Sequence, residues 1–170
     1  HFLYDNGVPP RYLAKATILD LPVAGRLLRA TGQIPVYRGT DHASDAYTAA
    51  KQAVLDGEGV IFYPEGTITR DPDEWPMSGK TGAARVALDT GCPVIPIAQW
   101  GPNMFLEPYT KVPRLFPRQT MVVSAGPPVD LEDLRGREVT AAILATATEH
   151  IMDAVTEELA KIRGVPAPES

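Results

Sequence analysis

A short apolar run that stops on a proline constrains this chain more than any other stretch. Val60-Ile61-Phe62-Tyr63 is β-branched and aromatic, the make-up of a buried strand. Pro64 has no N–H to give a sheet ladder, so the strand ends there. Glu65-Gly66-Thr67 then forms a turn at the strand's carboxyl end, where open α/β sheets place their ligand sites. Gly66 lets a bound group approach the backbone, and Thr67 offers a hydroxyl and an N–H. An ordinary polar turn at a strand end is the other reading of the same residues.

Strand and helix patterns alternate on both sides of this run. His1 to Tyr4 reads as the tail of a helix, Asp5-Asn6-Gly7 as a turn, and Arg11 to Lys15 as a short strand. Leu21, Ala24, Leu27 and Leu28 have helical spacing within 18–30, with Gly32 as the stop. Gln33 to Arg38 alternates as a strand, and Pro35 marks it as an edge or irregular position. A helix over 44–56 carries Ala46, Ala49, Ala50, Val54 and Leu55 on one side. After a polar loop over 68–77, Ser78 is placed to cap a helix that Gly91 closes. Strands follow over 93–100 and 119–125, separated by an irregular, proline-rich excursion. Asp130 caps a short turn, and a last helix runs over 139–163 with the stripe Ile143, Ala147, Ile151, Val155, Leu159 and Ile162. This order predicts an α/β fold: a single domain over 1–163 with a partly parallel central sheet flanked by helices, then a frayed tail over 164–170.

Charge and composition exclude several functions. Sixteen basic against twenty-one acidic residues give a net charge of −5, which argues against a nucleic-acid partner. Cys92 is the only cysteine, so no internal disulfide or cysteine metal cluster can form. His1, His42 and His150 lack metal-site spacing; His42 with Asp45 reads as a surface pair, and His150 lies on the exposed or half-exposed side of the last helix. No apolar run is long enough to span a membrane. Ser78-Gly79-Lys80-Thr81-Gly82 shares Gly-Lys-Thr with a P-loop, but position 74 is Glu where that motif needs Gly. Neither a Gly-x-Gly-x-x-Gly fingerprint nor a Gly-x-Ser-x-Gly elbow is present.

What remains points to an anion and a lipid. Lys15, Arg38 and Arg70 fall at or just beyond predicted strand ends, where cations suit a phosphate; three unrelated surface cations fit the same spacing. Lys80 is placed to face an anion near a helix start. Between Trp100 and Arg118, the apolar Met104, Phe105, Leu106, Tyr109, Leu115 and Phe116 mix with Lys111, Arg114 and Arg118. That mixture suits a membrane interface, or a long loop folded onto its own apolar residues.

Taken in order, four blocks resemble the glycerolipid acyltransferase family that includes 1-acyl-glycerol-3-phosphate acyltransferase. Gly32-Gln33-Ile34-Pro35-Val36-Tyr37-Arg38 is similar to the family's second block, and Phe62-Tyr63-Pro64-Glu65-Gly66-Thr67 to its third, Phe-Pro-Glu-Gly-Thr-Arg-Ser. Val94-Ile95-Pro96-Ile97 is similar to the fourth; Leu13-Ala14-Lys15 and Gly79-Lys80-Thr81-Gly82-Ala83-Ala84 also match family habits. The resemblance covers about residues 11 to 101. It implies transfer of a fatty acyl group from acyl-CoA or acyl carrier protein to the hydroxyl of a lysophosphatidic acid-like acceptor in phospholipid biosynthesis. No metal or redox cofactor is implied. The setting it implies is peripheral, on the cytoplasmic side of the cell membrane. Lys15, Arg38, Glu65, Gly66, Thr67, Arg70 and Lys80 are the expected acceptor-binding residues.

Two departures stand out. The family's arginine after Glu-Gly-Thr is Ile68 here and Thr69 stands for the usual Ser; Arg70, two positions on, shares a face with 68 in an extended segment. The family's catalytic His-x-x-x-x-Asp is absent: Asp5 follows His1 one position too early, and Tyr47 and Val155 stand at that offset from His42 and His150. The expectation is that the catalytic pair lies a few helical turns upstream of His1 and that these 170 residues alone are inactive. A non-catalytic phospholipid- or phosphate-binding domain is the alternative.

Overall fold

The computed structural model describes residues 2–36, 43–106 and 112–168. Its contacts gather into two compact units: the chain up to Tyr63 with Arg85–Cys92, and Pro64–Ala84 with the chain from Pro93 onward. In chain order the elements are α1 (Phe2–Asp5), β1 (Pro10–Lys15), α2 (Ala16–Leu19), α3 (Ala24–Ala30), β2 (Ile34–Val36), α4 (Ala43–Leu55), β3 (Gly59–Ile61), α5 (Gly82–Thr90), β4 (Ile97–Trp100), α6 (Pro102–Phe105), β5 (Val122–Ala125) and α7 (Ala141–Arg163).

In the first unit β1 is the middle strand of a parallel sheet ordered β2-β1-β3. Leu13 pairs with Ile34 and Lys15 with Val36 on one side, while Pro10 pairs with Gly59 and Tyr12 with Ile61 on the other. Pro35 therefore sits on an outer strand, as its missing N–H requires. Ala46, Ala50 and Ala53 are buried on α4, at a spacing that places three small side chains on one face and lets the helix sit close to the sheet. Ile34, Ala50, Ala53 and Val86 form the core, with Leu13, Val60 and Phe62 packed against them. Burying Ile34 and Val86 contributes about 1.5–3 kcal/mol each.

Several expectations of local structure are corrected. The helix expected over 18–30 is two pieces, α2 and α3, because Pro22 cannot supply an N–H and restricts Leu21 before it. On α4, Ala49 and Leu55 face solvent and Ala53 takes their place in the core. Phe62 and Tyr63 run beyond the β3 ladder, and Tyr63 is exposed. The pair proposed for His42 and Asp45 involves residue 42, which lies outside the described residues.

In the second unit β4 and β5 form an antiparallel pair, with Ile97 opposite Ala125 and Trp100 opposite Val122. The strand expected from residue 93 begins only at Ile97. The carbonyls of Val94 and Pro96 accept from the N–H groups of Val129 and Gly126, but Pro93 and Pro96 have no N–H to return to a ladder. The strand expected from residue 119 likewise begins only at Val122. Helix α7 starts on Thr140, whose hydroxyl accepts from the Ile143 N–H at 3.3 Å, and ends on Gly164 at φ 67°. Its Ala147, Ile151 and Leu159 are buried as the stripe requires, joined by Leu144, Thr148 and Met152. Glu158 is buried too. Ser124 Oγ donates to its Oε2 at 2.8 Å, and Lys161 Nζ pairs with Oε1.

Candidate functional site

The loop expected to hold the acceptor belongs wholly to the second unit and is closed at both ends. The Lys80 N–H donates to the Pro64 carbonyl at 2.8 Å, joining its two strands. Just inside that closure, Glu65 Oε2 accepts from the Met77 N–H at 2.9 Å. One carboxylate oxygen thus holds the loop's return strand and fixes where the side chain points. Gly66 takes φ 66°, the left-handed conformation that other residues adopt only at a cost. A Cβ there would lie 3.3 Å from Lys80 Nζ, so the ammonium lies across the glycine backbone. Gly66 and Lys80, read separately from the sequence, meet in one place.

The lower half of the loop is held by its own polar side chains and by a tryptophan. Thr69 Oγ1 donates to the Trp75 carbonyl at 2.7 Å, and Asp71 Oδ1 accepts from the N–H groups of Asp73 and Trp75. Trp75 is buried against Ala98 and Leu159. The Arg163 guanidinium stacks between Trp75 and Trp100, 4.2 and 4.5 Å from their ring centres, and donates to the Asp73 carbonyl at 2.8 Å. Sequence reading missed this anchor. Gly79 lies against α7: a Cβ there would come 2.8 Å from Met152 Sδ and 3.1 Å from Thr148 Cγ2.

Ser78 does not cap a helix. With the Lys80 N–H committed to Pro64, residues 78–80 stay unwound and α5 begins at Gly82. Thr67 and Arg70 are exposed, and the Arg70 N–H faces Met77 Sδ at 3.4 Å. Lys15 is the last residue of β1, level with Val36 at the carboxyl end of the parallel pair. Arg38 lies outside the described residues.

Two cavities lie among the described residues, one in each unit. One of about 420 Å³ between residues 76–81 and α7 is lined by the carboxylates of Glu149 and Asp153, which repel an anion. The other, about 360 Å³, has Arg11 in its wall, but that guanidinium is paired with Glu58. Among the described residues no group of three or more His, Cys, Asp or Glu side chains could hold a metal. His150 is exposed, as its place on α7 suggested, with Nδ1 3.3 Å from the Asp130 carbonyl oxygen.

Residues 1–100 match the family model described as Acyltransferase, more than half of the chain. The chain belongs to that family. Among its relatives, this family member is 33% identical over 100 residues to a chloroplastic 1-acyl-sn-glycerol-3-phosphate acyltransferase of Brassica napus, covering 58% of this chain and 28% of that protein. It is 30% identical over 105 residues to the 1-acyl-sn-glycerol-3-phosphate acyltransferase of Borreliella burgdorferi, covering 61% of this chain and 41% of that one. The chain thus spans less than half the length of these curated relatives. Among solved structures, the 1-acyl-sn-glycerophosphate (LPA) acyltransferase of Thermotoga maritima superposes with a TM-score of 0.61 at 22% identity, covering 95% of this chain and 59% of that one. That likeness shows the fold: α/β, with the parallel sheet and flanking helices read from the sequence.

Proposed function

We propose that this family member serves acyl transfer from acyl-CoA or acyl carrier protein to the glycerol hydroxyl of a lysophosphatidic acid-like acceptor, and that the chain's own part is to hold that acceptor. In the reaction the hydroxyl oxygen attacks the thioester carbonyl, the C–O bond forms, the C–S bond breaks and the thiolate leaves. The hydroxyl proton must pass to a base. These 170 residues contain no His-x-x-x-x-Asp, so the proposal gives them acceptor holding and not proton abstraction.

One observation carries the reading: the Lys80 ammonium lies across Gly66 in a loop clipped shut by Pro64 and Glu65. A cation over a half-buried glycine backbone suits a phosphate, which takes a charge-assisted hydrogen bond from Nζ and approaches where no Cβ intervenes. Thr67, exposed beside it, supplies a hydroxyl for the glycerol or phosphate oxygens. Glu65 keeps the loop in register, and its second oxygen can accept from a glycerol hydroxyl. Arg70, on the exposed side of the loop, takes part of the role of the family's arginine. The family pattern alone makes Lys15 and Arg38 expected phosphate-binding residues.

The test is calorimetric titration of the chain with a short-chain, monomeric lysophosphatidate and with the corresponding monoacylglycerol. Binding should need the phosphate, and Lys80→Ala should weaken it about tenfold or more, the worth of a charge-assisted hydrogen bond. Glu65→Gln, which can still accept from Met77 but presents an NH2 where the second oxygen stood, should keep stability and weaken binding, while Glu65→Ala should lose both the loop's register and binding. Equal affinity for the two ligands, or an unaffected Lys80→Ala, would overturn the assignment. With palmitoyl-CoA present, the chain alone should yield no acylated product.

A further inference from the structure

The second unit leaves a set of large apolar side chains in water. Val112 is 77% exposed, Leu115 62% and Phe116 87%; Met104, Leu106, Met121 and Val122 are exposed as well. These residues come from three stretches that backbone contacts draw together. The Arg114 N–H donates to the Phe105 carbonyl at 2.7 Å, Trp100 stands opposite Val122, and Gly101 packs so closely on Thr120 that a Cβ would meet its carbonyl oxygen at 2.3 Å. The charge here also runs against the rest of the chain. From 112 to 129 the only ionisable side chains are Arg114 and Arg118, with no acid before Asp130, in a protein of net charge −5.

We propose that this surface docks on an anionic lipid bilayer, with Phe116, Leu115 and Val112 entering the boundary between headgroups and acyl chains and Arg118 meeting lipid phosphates. Scattered exposed apolar residues are ordinary; an aromatic almost fully in water, with apolar neighbours and only basic ionisable residues along its own stretch from 112 to 129, is the make-up of an interfacial anchor. A second copy of the chain is a poorer occupant, because pairing the patch with itself sets arginines against arginines. In the sequence, Tyr109 and Lys111 suggested the same surface; both lie outside the described residues. The proposal rests on the acyltransferase reading for its setting, a lipid acceptor held at a membrane. Its test uses no lysophospholipid, so the two can fail separately.

The experiment is co-sedimentation of the chain with phosphatidylcholine vesicles, with and without phosphatidylglycerol. Binding should appear with phosphatidylglycerol and weaken as salt rises. Phe116→Ser should lower partitioning about tenfold, and Arg118→Gln about fivefold on the anionic vesicles alone, with circular dichroism unchanged in both. No binding to anionic vesicles, or equal binding by Phe116→Ser, overturns the proposal. So does a dimer in sedimentation equilibrium that Phe116→Ser dissociates, which would give the patch to a second copy. Vesicle binding without lysophosphatidate binding would leave this surface standing and remove only the acceptor reading.

Discussion

Replacing Arg163 by alanine removes three interactions at once. The guanidinium stacks on Trp75 at 4.2 Å and on Trp100 at 4.5 Å, and it donates to the Asp73 carbonyl at 2.8 Å. Such stacks contribute about 0.5–1 kcal/mol when exposed and about 2 when desolvated. With Trp75 buried and Arg163 half-buried, about 1 kcal/mol for each ring is reasonable. The hydrogen bond adds about 1 kcal/mol, and the cation's place in the last turn of α7 a few tenths. One side chain makes all of these contacts, so they are not independent, and the expected loss is about 2–3 kcal/mol. Urea unfolding followed by tryptophan emission reads this place directly, because the chain's two tryptophans are the two that flank Arg163. The alanine variant should shift the fluorescence midpoint to lower urea and change the native emission. Lysine keeps the charge but not the flat face, and should lose about half as much. An alanine variant that unfolds within about 0.5 kcal/mol of the parent, with unchanged emission, would refute the anchor.

Two further outcomes follow from the buried carboxylate of α7. A Cβ on Gly126 would come 2.7 Å from Glu158 Oε1 and 2.9 Å from Cδ, and Glu158 is too enclosed to step aside; Gly126→Ala should destabilise by about 1–3 kcal/mol, read by urea or thermal unfolding. Hydrogen bonds from Lys161 first, and then Ser124, hold the Glu158 carboxyl below its ordinary range against the opposing effect of burial. A depressed folded-state pKa gives a contribution that is complete above the unfolded glutamate value and is lost as pH falls through the folded one. Glu158→Gln should therefore flatten the acid side of the stability profile while leaving its slope near neutrality unchanged, as measured by unfolding across pH.

Much of the architecture was legible because it depends on neighbours in sequence. The ends of α7 were read to within two residues: apolar periodicity marks its length, and the chain stops it on a glycine. Pro35 gave the outer position of β2, and the run before Pro64 gave β3 and its turn. The errors have physical causes that sequence spacing hides. Pro22 split one helix into two, and prolines 93 and 96 removed a ladder that composition alone favours. Ser78 looked like a cap because the bond from the Lys80 N–H to Pro64 cannot be seen in a linear pattern. Within the candidate site, the residue types came from the family pattern, but their arrangement did not. That Glu65 spends an oxygen on Met77, and that Lys80 lies across Gly66, are consequences of loop closure. The Arg163 anchor was beyond reach altogether, since it joins a loop to a helix ninety positions away.

Pro35 has a consequence for behaviour in concentrated solution. Among the described residues the three-stranded sheet ends on β2 and β3, and the outer edge of such a strand can recruit a strand from another molecule. On the β2 rim the proline removes a donor from a strand only three residues long, so an incoming chain would miss a rung and find little length to grip. β3, Gly59–Ile61, contains no proline. Any sheet-extending self-association should therefore begin along β3, and a proline or lysine placed there is the change most expected to keep the protein dispersed.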